Sequence, residues 1–151
     1  MEKLFLRRAE PEDMMLLYRW VNEPSVRTNS FQSEIISLEE HQRWFQRALD
    51  DPNVSIFIMT LDAQPIGQVR LTLDNGIQMI DYSIDVEHRK HGFGTLILSM
   101  VEKHCDRTLP LVGKVRLTNV ASQRVFEKLG YERTEAPDHF IYTKILSTQR
   151  R

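Results

Sequence analysis

The stretch Ile84–Thr95, IDVEHRKHGFGT, decides how this chain is read. It follows a run of β-forming residues and gathers His88, Arg89, Lys90 and His91. It then sets Gly92 and Gly94 two positions apart, where an apolar helical pattern begins. Cations and glycines at a helix start suit a phosphate: N–H groups lie bare, the backbone approaches closely and positive charge is at hand. Spacing excludes two familiar phosphate loops. A P-loop needs Lys and then Ser or Thr after its last glycine, but Gly94 is followed by Thr95 and Leu96. A dinucleotide fingerprint wants a third small residue where Ile97 stands, and parallel βαβ repeats where a hairpin precedes. What remains is a strand ending near Val86, the pattern Arg89-x-x-Gly92-x-Gly94, and a helix from about Phe93. The backbone N–H groups from Lys90 to Thr95 would then surround a pyrophosphate.

Working outward, the chain has 151 residues, enough for one domain spanning 1–151. Lys and Arg number 20 against 21 for Asp and Glu, a balance that argues against a general nucleic-acid binder. The single Cys105 offers no disulfide framework within the chain. His88, His91 and His104 lack partners at ligand spacing, so no metal is expected. There is no apolar run of membrane-spanning length and no signal-peptide core, so the expected setting is the cytoplasm with no membrane partner. The final STQRR reads as a frayed basic tail.

Before the glycines, LFLRRA reads as a strand, and Pro11 with Glu12 and Asp13 opens a helix that stops before Pro24. A polar link follows. Ser37 and Glu40 form a capping box for a second helix that carries His41, Trp44 and Phe45. Three strands come next, the last two joined at Asn75–Gly76, a hairpin signal. After the glycines come a helix to His104, a strand LVGKVRL, a helix ending at Gly130, and two closing strands. The expected fold is α/β (α+β), with a mixed, partly antiparallel central sheet and helices on both faces. Its order is β-α-α-β-β-β-α-β-α-β-β. The terminal strands offer edges through which a homodimer could pair.

Two motifs together carry a family resemblance. Arg89-x-x-Gly92-x-Gly94 matches the pyrophosphate loop of the GNAT superfamily of acyl-CoA-dependent N-acetyltransferases. Asn119–Tyr131, NVASQRVFEKLGY, resembles the helix that borders coenzyme A in that family. The resemblance implies that acetyl-CoA is the co-substrate and that an acetyl group passes directly to a primary amine in a ternary complex. It places backbone groups of Ile84 and Val86 on the pantetheine and Asn119 on its other side. Arg89, Lys90, His91, Gly92, Phe93, Gly94 and Thr95 would hold the pyrophosphate, with Phe126 also among the cofactor residues. Phe126 stands where the family often has a tyrosine acid, so Tyr131 or a water is the substitute. Gln78 stands where some members have a glutamate base.

The amine must lose a proton, and the candidate bases are Asp81, Asp85, Glu34 and His41. Asp81 leads by its mid-strand position, and His41 follows because a pKa of about 6.5 suits a base. The segment Trp20–Phe45 resembles N-acetyltransferases acting on nucleotide-linked amino sugars of pseudaminic-acid-type pathways. That resemblance makes a nucleotide-linked amino sugar the expected acceptor. Arg27 would pair with its diphosphate, Asn29 and Ser30 with sugar hydroxyls, and Trp44 would offer a flat face. Against this stands core packing for the aromatic residues, whose spacing is helical. The alternatives are a protein or peptide N-acetyltransferase acting on an N-terminal amine or a lysine, and an acyl-CoA-binding module without turnover.

Overall fold

Strand alternation in the middle of the chain organises two layers at once. In the computed structural model, which describes residues 3–146, β2 (Val54–Leu61) points Phe57 and Met59 to one side and Ile56 and Ile58 to the other. All four are buried, as a strand sandwiched between two helical layers requires. One side receives α1 (Met14–Val21) and α3 (Leu38–Asp50) through Leu17, Trp20, Phe45 and Ala48. The other receives α4 (Phe93–Val101) and α5 (Val120–Lys128) through Ile97, Leu98, Val101 and Phe126. Each such side chain stabilises the fold by roughly 1.5–3 kcal/mol on burial.

The remaining strands are β1 (Leu4–Arg8), β3 (Gln64–Asp74), β4 (Ile77–Ile84), β5 (Leu111–Arg116), β6 (Glu132–Glu135) and β7 (His139–Lys144). The sheet order is β1-β2-β3-β4-β5-β7-β6. All neighbours are antiparallel except β4 and β5. The expected mixed sheet with helices on both faces is therefore present. The hairpin at Asn75–Gly76 has positive φ at both residues (52° and 75°), the geometry that Asn-Gly supplies at little steric cost.

The parallel pair is short. Gln78 faces Leu111, Met79 faces Val112 and Ile80 faces Gly113, and there the pairing ends although both strands continue. From Asp81 to Ile84, β4 keeps its partner β3 on one edge and loses β5 on the other. Backbone groups alternate between edges, so those of Tyr82 and Ile84 point into the gap. Gln78 braces the root of this fork. Its amide donates to Asp106 O (2.9 Å) and Leu109 O (3.1 Å) and accepts from Asp106 N (2.8 Å). A buried amide satisfied in this way holds a loop in place and takes no proton from an amine.

Two expectations need correction. The link after Pro24 contains a further helix, α2 (Pro24–Asn29), so three helices separate β1 from β2. The first helix does stop before Pro24, at Val21, but Pro24 also starts the next one, because Glu23 caps it by accepting from Ser25 N (3.4 Å) and proline suits a first turn. Val86 is not part of β4. Asp85 accepts from Glu87 N (3.4 Å) and turns the chain into a single 3₁₀ turn, Val86–His88, which leaves Val86 exposed. The tail 147–151 lies outside the described residues.

Candidate active site

The phosphate loop is built by backbone geometry. Gly92 caps α4 at φ 82°, a left-handed conformation, and Lys90 before it sits at φ 67°. No side chain caps the helix, and its first internal bond is Leu96 N to Gly92 O (3.2 Å). The amides of Phe93, Gly94 and Thr95 thus open the helix without partners inside it, the arrangement that receives an anion. A Cβ on Gly92 would meet nothing within 4 Å. At Gly94 it would come within 3.3 Å of Val125 and 3.4 Å of the Tyr82 ring, so glycine lets α4 and α5 close up there. His91 is exposed, and its ring lies 6.2 Å from that of Phe93. With the open edge of β4 beside it, the loop fits a pyrophosphate followed by a chain bearing amide groups.

Arg89 spends its side chain on the end of that edge and on the chain beyond it. Its Nε donates to Ile84 O (3.0 Å), its Nη2 meets Glu23 Oε1 (2.8 Å) and its Nη1 donates to Ser25 Oγ. These side-chain donors are already committed, so any share Arg89 has in the phosphate loop falls to its backbone. Asn119 caps α5, its Oδ1 accepting from Ser122 N (3.3 Å). Phe126 is corrected. It is buried in the core, stacked on Tyr142 (5.3 Å) and edge-on to Tyr131 (5.0 Å), not presented to the gap. Tyr131 is also buried there and donates to Glu102 Oε2 (3.0 Å). Burial and that carboxylate push its pKa well up, and the structure does not bring it to the cavity.

On the other face of the sheet, α1, α2 and α3 and the strands enclose a cavity of about 660 Å³. Arg27, Asn29, Ser30, His41, Trp44 and Asp81 all line it, so six of the expected residues converge. Their roles differ from expectation in part. Arg27 is spent within its own loop: Nε donates to Val21 O (2.7 Å), Nη1 to Gln32 O (2.8 Å) and Glu34 O (3.1 Å), and Nη2 to Ser30 Oγ (3.1 Å). It shapes the wall and has little left for a diphosphate. Ser30 also donates to Val26 O (2.6 Å). His41 is buried, with Nε2 bonded to Met14 O (3.1 Å) and its ring stacked on Phe45 (6.0 Å). Burial lowers its pKa against the opposing pull of that carbonyl, which favours the neutral ring. Asp81 keeps its side chain 56 % exposed, with Arg70 Nη2 at 3.4 Å. Arg70 in turn lies over the Trp44 ring (5.0 Å), covering one of its faces.

Several lining residues were not anticipated: Arg43, Arg47, Arg70, Lys114 and Tyr82. Arg43 and Arg47 stand one helical turn apart around Trp44, a spacing visible in the sequence. Tyr82 lies on β4 at the fork. Its hydroxyl shares a hydrogen bond with Ser122 Oγ (2.9 Å), bridging β4 to α5 across the fork, and burial pushes its pKa to about 12.

A forked mixed sheet with a glycine loop at a helix N-terminus and a cavity on the opposite face is the layout of an acyl-CoA-dependent transferase. The chain belongs to the GNAT acetyltransferases: the acetyltransferase (GNAT) domain model matches residues 3–132. It is an acetyl-CoA-dependent N-acetyltransferase. No curated protein matches it in sequence. Among solved structures it is similar to spermidine N-acetyltransferase from Vibrio cholerae in complex with CoA and spermine (17 % identity, TM-score 0.83, 95 % of this chain and 96 % of that one). It is also similar to aminoglycoside acetyltransferase AAC(6')-Ib in complex with coenzyme A and kanamycin (20 % identity, TM-score 0.78, 96 % of each chain). A third similar structure is the ribosomal L7/L12 alpha-N-protein acetyltransferase RimL with coenzyme A (16 % identity, TM-score 0.78, 97 % and 96 %). At these identities the likeness is one of fold. Among the described residues no helix is long and apolar enough to cross a membrane. Nor is any group of three or more His, Cys, Asp or Glu among them placed to hold a metal ion.

Proposed function

We propose that the acceptor is a nucleotide-linked amino sugar, with its amine directed at the fork and its diphosphate at α3. The observation that carries this is the charge of the cavity wall. Five basic residues line it, Arg27, Arg43, Arg47, Arg70 and Lys114, against two acidic ones, Glu40 and Asp81. Arg27 is bound into its loop and Arg70 is paired with Asp81. Arg43, Arg47 and Lys114 are left without a carboxylate partner among the described residues. Such a wall attracts an anion and repels a polycation. Spermine and kanamycin, found with two of the similar structures, are polycations. A diphosphate suits Arg43 and Arg47 as a charge-assisted, forked contact. Phe31, 48 % exposed at the rim, offers a flat face for the base.

Asp81 is the base in this reading, taking the amine proton directly or through a water. It is the first β4 residue beyond the pairing with β5, so its side chain enters the cavity beside the open backbone edge. That edge supplies N–H groups for the thioester carbonyl. Tyr82 is the proton donor to the departing thiolate in place of Tyr131, since its hydroxyl stands across the fork in a hydrogen bond with Ser122 Oγ. Much of the rate comes from holding the two substrates in contact. Asp81→Asn and Tyr82→Phe are each expected to lower kcat by about 10²-fold or more with acetyl-CoA affinity retained. Full turnover in either variant strikes that residue from the mechanism.

The deciding experiment measures thiol release from acetyl-CoA with a UDP-linked amino sugar, the same free amino sugar, spermidine, kanamycin and an N-terminal peptide. Turnover is expected with the nucleotide-linked sugar, at a kcat/KM roughly 10-fold or more above the free sugar, as loss of one charged hydrogen bond implies. Preference for spermidine, kanamycin or the peptide overturns the reading.

A further inference from the structure

Arg89 joins the end of β4 to a segment far away in the chain. Through Nε it holds the carbonyl of Ile84, the last residue of β4, and through Nη1 and Nη2 it holds Ser25 and Glu23. Those two residues lie 64 and 66 positions away and form the start of α2. Glu23 also accepts from the Ser25 hydroxyl and backbone N–H. Burial raises the Glu23 pKa, but the bonds from Ser25 and Arg89 outweigh it and hold the carboxyl below its ordinary value. The pair is largely shielded, with side chains 31 % and 23 % exposed.

α2 depends on such anchors. It has six residues and none of them is buried, so neither helix propagation nor core packing holds it. Its C-terminal end is tied through Arg27, and its N-terminal end by Arg89. Yet α2 and the residues just after it supply Val26, Asn29, Ser30 and Phe31 to the acceptor cavity. One guanidinium, rooted in the phosphate loop, therefore fixes one wall of the other substrate's site.

We infer that Arg89 is a positioning residue that couples the two binding sites. A pyrophosphate held by the loop amides fixes the backbone from Arg89 to Thr95. Arg89 then holds Glu23 and Ser25, and α2 is set against the cavity. Acetyl-CoA thereby tightens acceptor binding, and by linkage the acceptor tightens acetyl-CoA binding by the same factor, of about 5- to 150-fold in typical cases. The inference goes beyond the choice of acceptor and holds whichever amine is used.

The test is amide hydrogen exchange with and without saturating coenzyme A, in the wild type, Glu23→Ala and Arg89→Lys. In the wild type, coenzyme A is expected to slow exchange at Ser25–Ser30 by about 5-fold or more, the lower bound of such coupling. In Glu23→Ala, coenzyme A should still bind with near wild-type affinity and protect the loop, but not α2. Arg89→Lys should keep part of the α2 protection. Exchange in β2 and β3 reports whether each variant is folded. Should Glu23→Ala misfold, Ser25→Ala gives the same contrast. Steady-state kinetics add a split: in Glu23→Ala the acceptor KM rises while the acetyl-CoA dissociation constant holds. The inference is overturned if coenzyme A leaves α2 unprotected in the wild type, or if α2 protection survives in both Glu23→Ala and Ser25→Ala. Failure of the sugar-nucleotide assay alone leaves these exchange results unaffected.

Discussion

Replacing Gly113 by alanine puts the packing at the fork to a quantitative test. A Cβ built there falls 2.3 Å from Cζ of Phe126, 2.7 Å from Cε1 and 3.0 Å from Cε2. Carbon atoms in contact sit about 3.5–4.0 Å apart, so the ring must retreat by more than about 1 Å. Its exits are closed. Phe126 is 2 % exposed, and Tyr142, fully buried, and Tyr131, also buried, pack against it. Overpacking of this kind costs about 1–3 kcal/mol, and the severity of the overlap places Gly113→Ala at the upper end. Relief of strand glycine entropy returns about 0.5–1 kcal/mol. The net loss of about 2 kcal/mol lowers the melting temperature by about 4–8 °C for a chain of this size. Urea and thermal denaturation measure it. Adding Phe126→Leu removes the ring tip, so the double variant should be at least about 1 kcal/mol more stable than the summed single costs. A Gly113→Ala protein that melts within about 1 °C of wild type refutes the reasoning, as does strict additivity in the double variant. Gly113 is the last residue of β5 paired with β4. A displaced α5 also carries Asn119 and Ser122 with it, so acetyl-CoA affinity should fall in the single variant and recover in the double.

Removing the charges of Arg43 and Arg47 together with glutamine should raise the acceptor KM by about 10-fold or more, since each charged hydrogen bond contributes about 1.5–3 kcal/mol. kcat and acetyl-CoA affinity should hold, and the salt dependence of kcat/KM should flatten; an unchanged acceptor KM would move the anion elsewhere. Asp13 tests pH linkage. Arg7 holds it by a two-pronged contact (2.8 and 2.9 Å) and depresses its pKa against the cost of burial, helped by the Glu10 N–H. A depressed carboxyl stabilises the fold above its unfolded pKa and loses that contribution as pH falls through the folded value. Asp13→Asn should therefore cost about 1.5–3 kcal/mol at pH 7, and the gap to wild type should close below about pH 4. A gap that persists in acid would show that shape, not charge, holds this corner.

The fold was legible because its determinants are local. Capping by Ser37, the Asn75–Gly76 turn, and glycines at 92 and 94 act on nearby backbone, and each appears where its chemistry requires. The phosphate loop was legible for the same reason, since it is made of backbone. Side-chain roles were not, because they depend on what lies opposite. Arg89 and Arg27 are cations beside the expected ligands, but Glu23 and the carbonyls of Val21, Gln32 and Glu34 take their donors first. Phe126 and Tyr131 sit on a helix and just past its end, and their inward face is set by tertiary packing, with Phe126 against Gly113 and Tyr142. Tyr82 was hidden by alternation: its strand position predicts an inward ring, not a hydroxyl bonded to Ser122, 40 residues away. The helix α2 was missed because its N-terminal end is held in part by Arg89, a residue on a distant loop.

The fork has a consequence for the protein's mechanical integrity. Along the sheet, β1–β4 and β5–β7 are two panels sutured by three residue pairs. A ligand lying in the gap with amide groups against β4 continues that seam past its natural end, acting as mortar between the panels. Its binding energy is then also cohesion, worth about 2.7 kcal/mol at a hundredfold excess over Kd. Ligand-free enzyme should first open along this line, with the panel bearing the phosphate loop and α2 parting from the one bearing α5. Its resistance to heat or proteolysis therefore reports how fully the seam is filled.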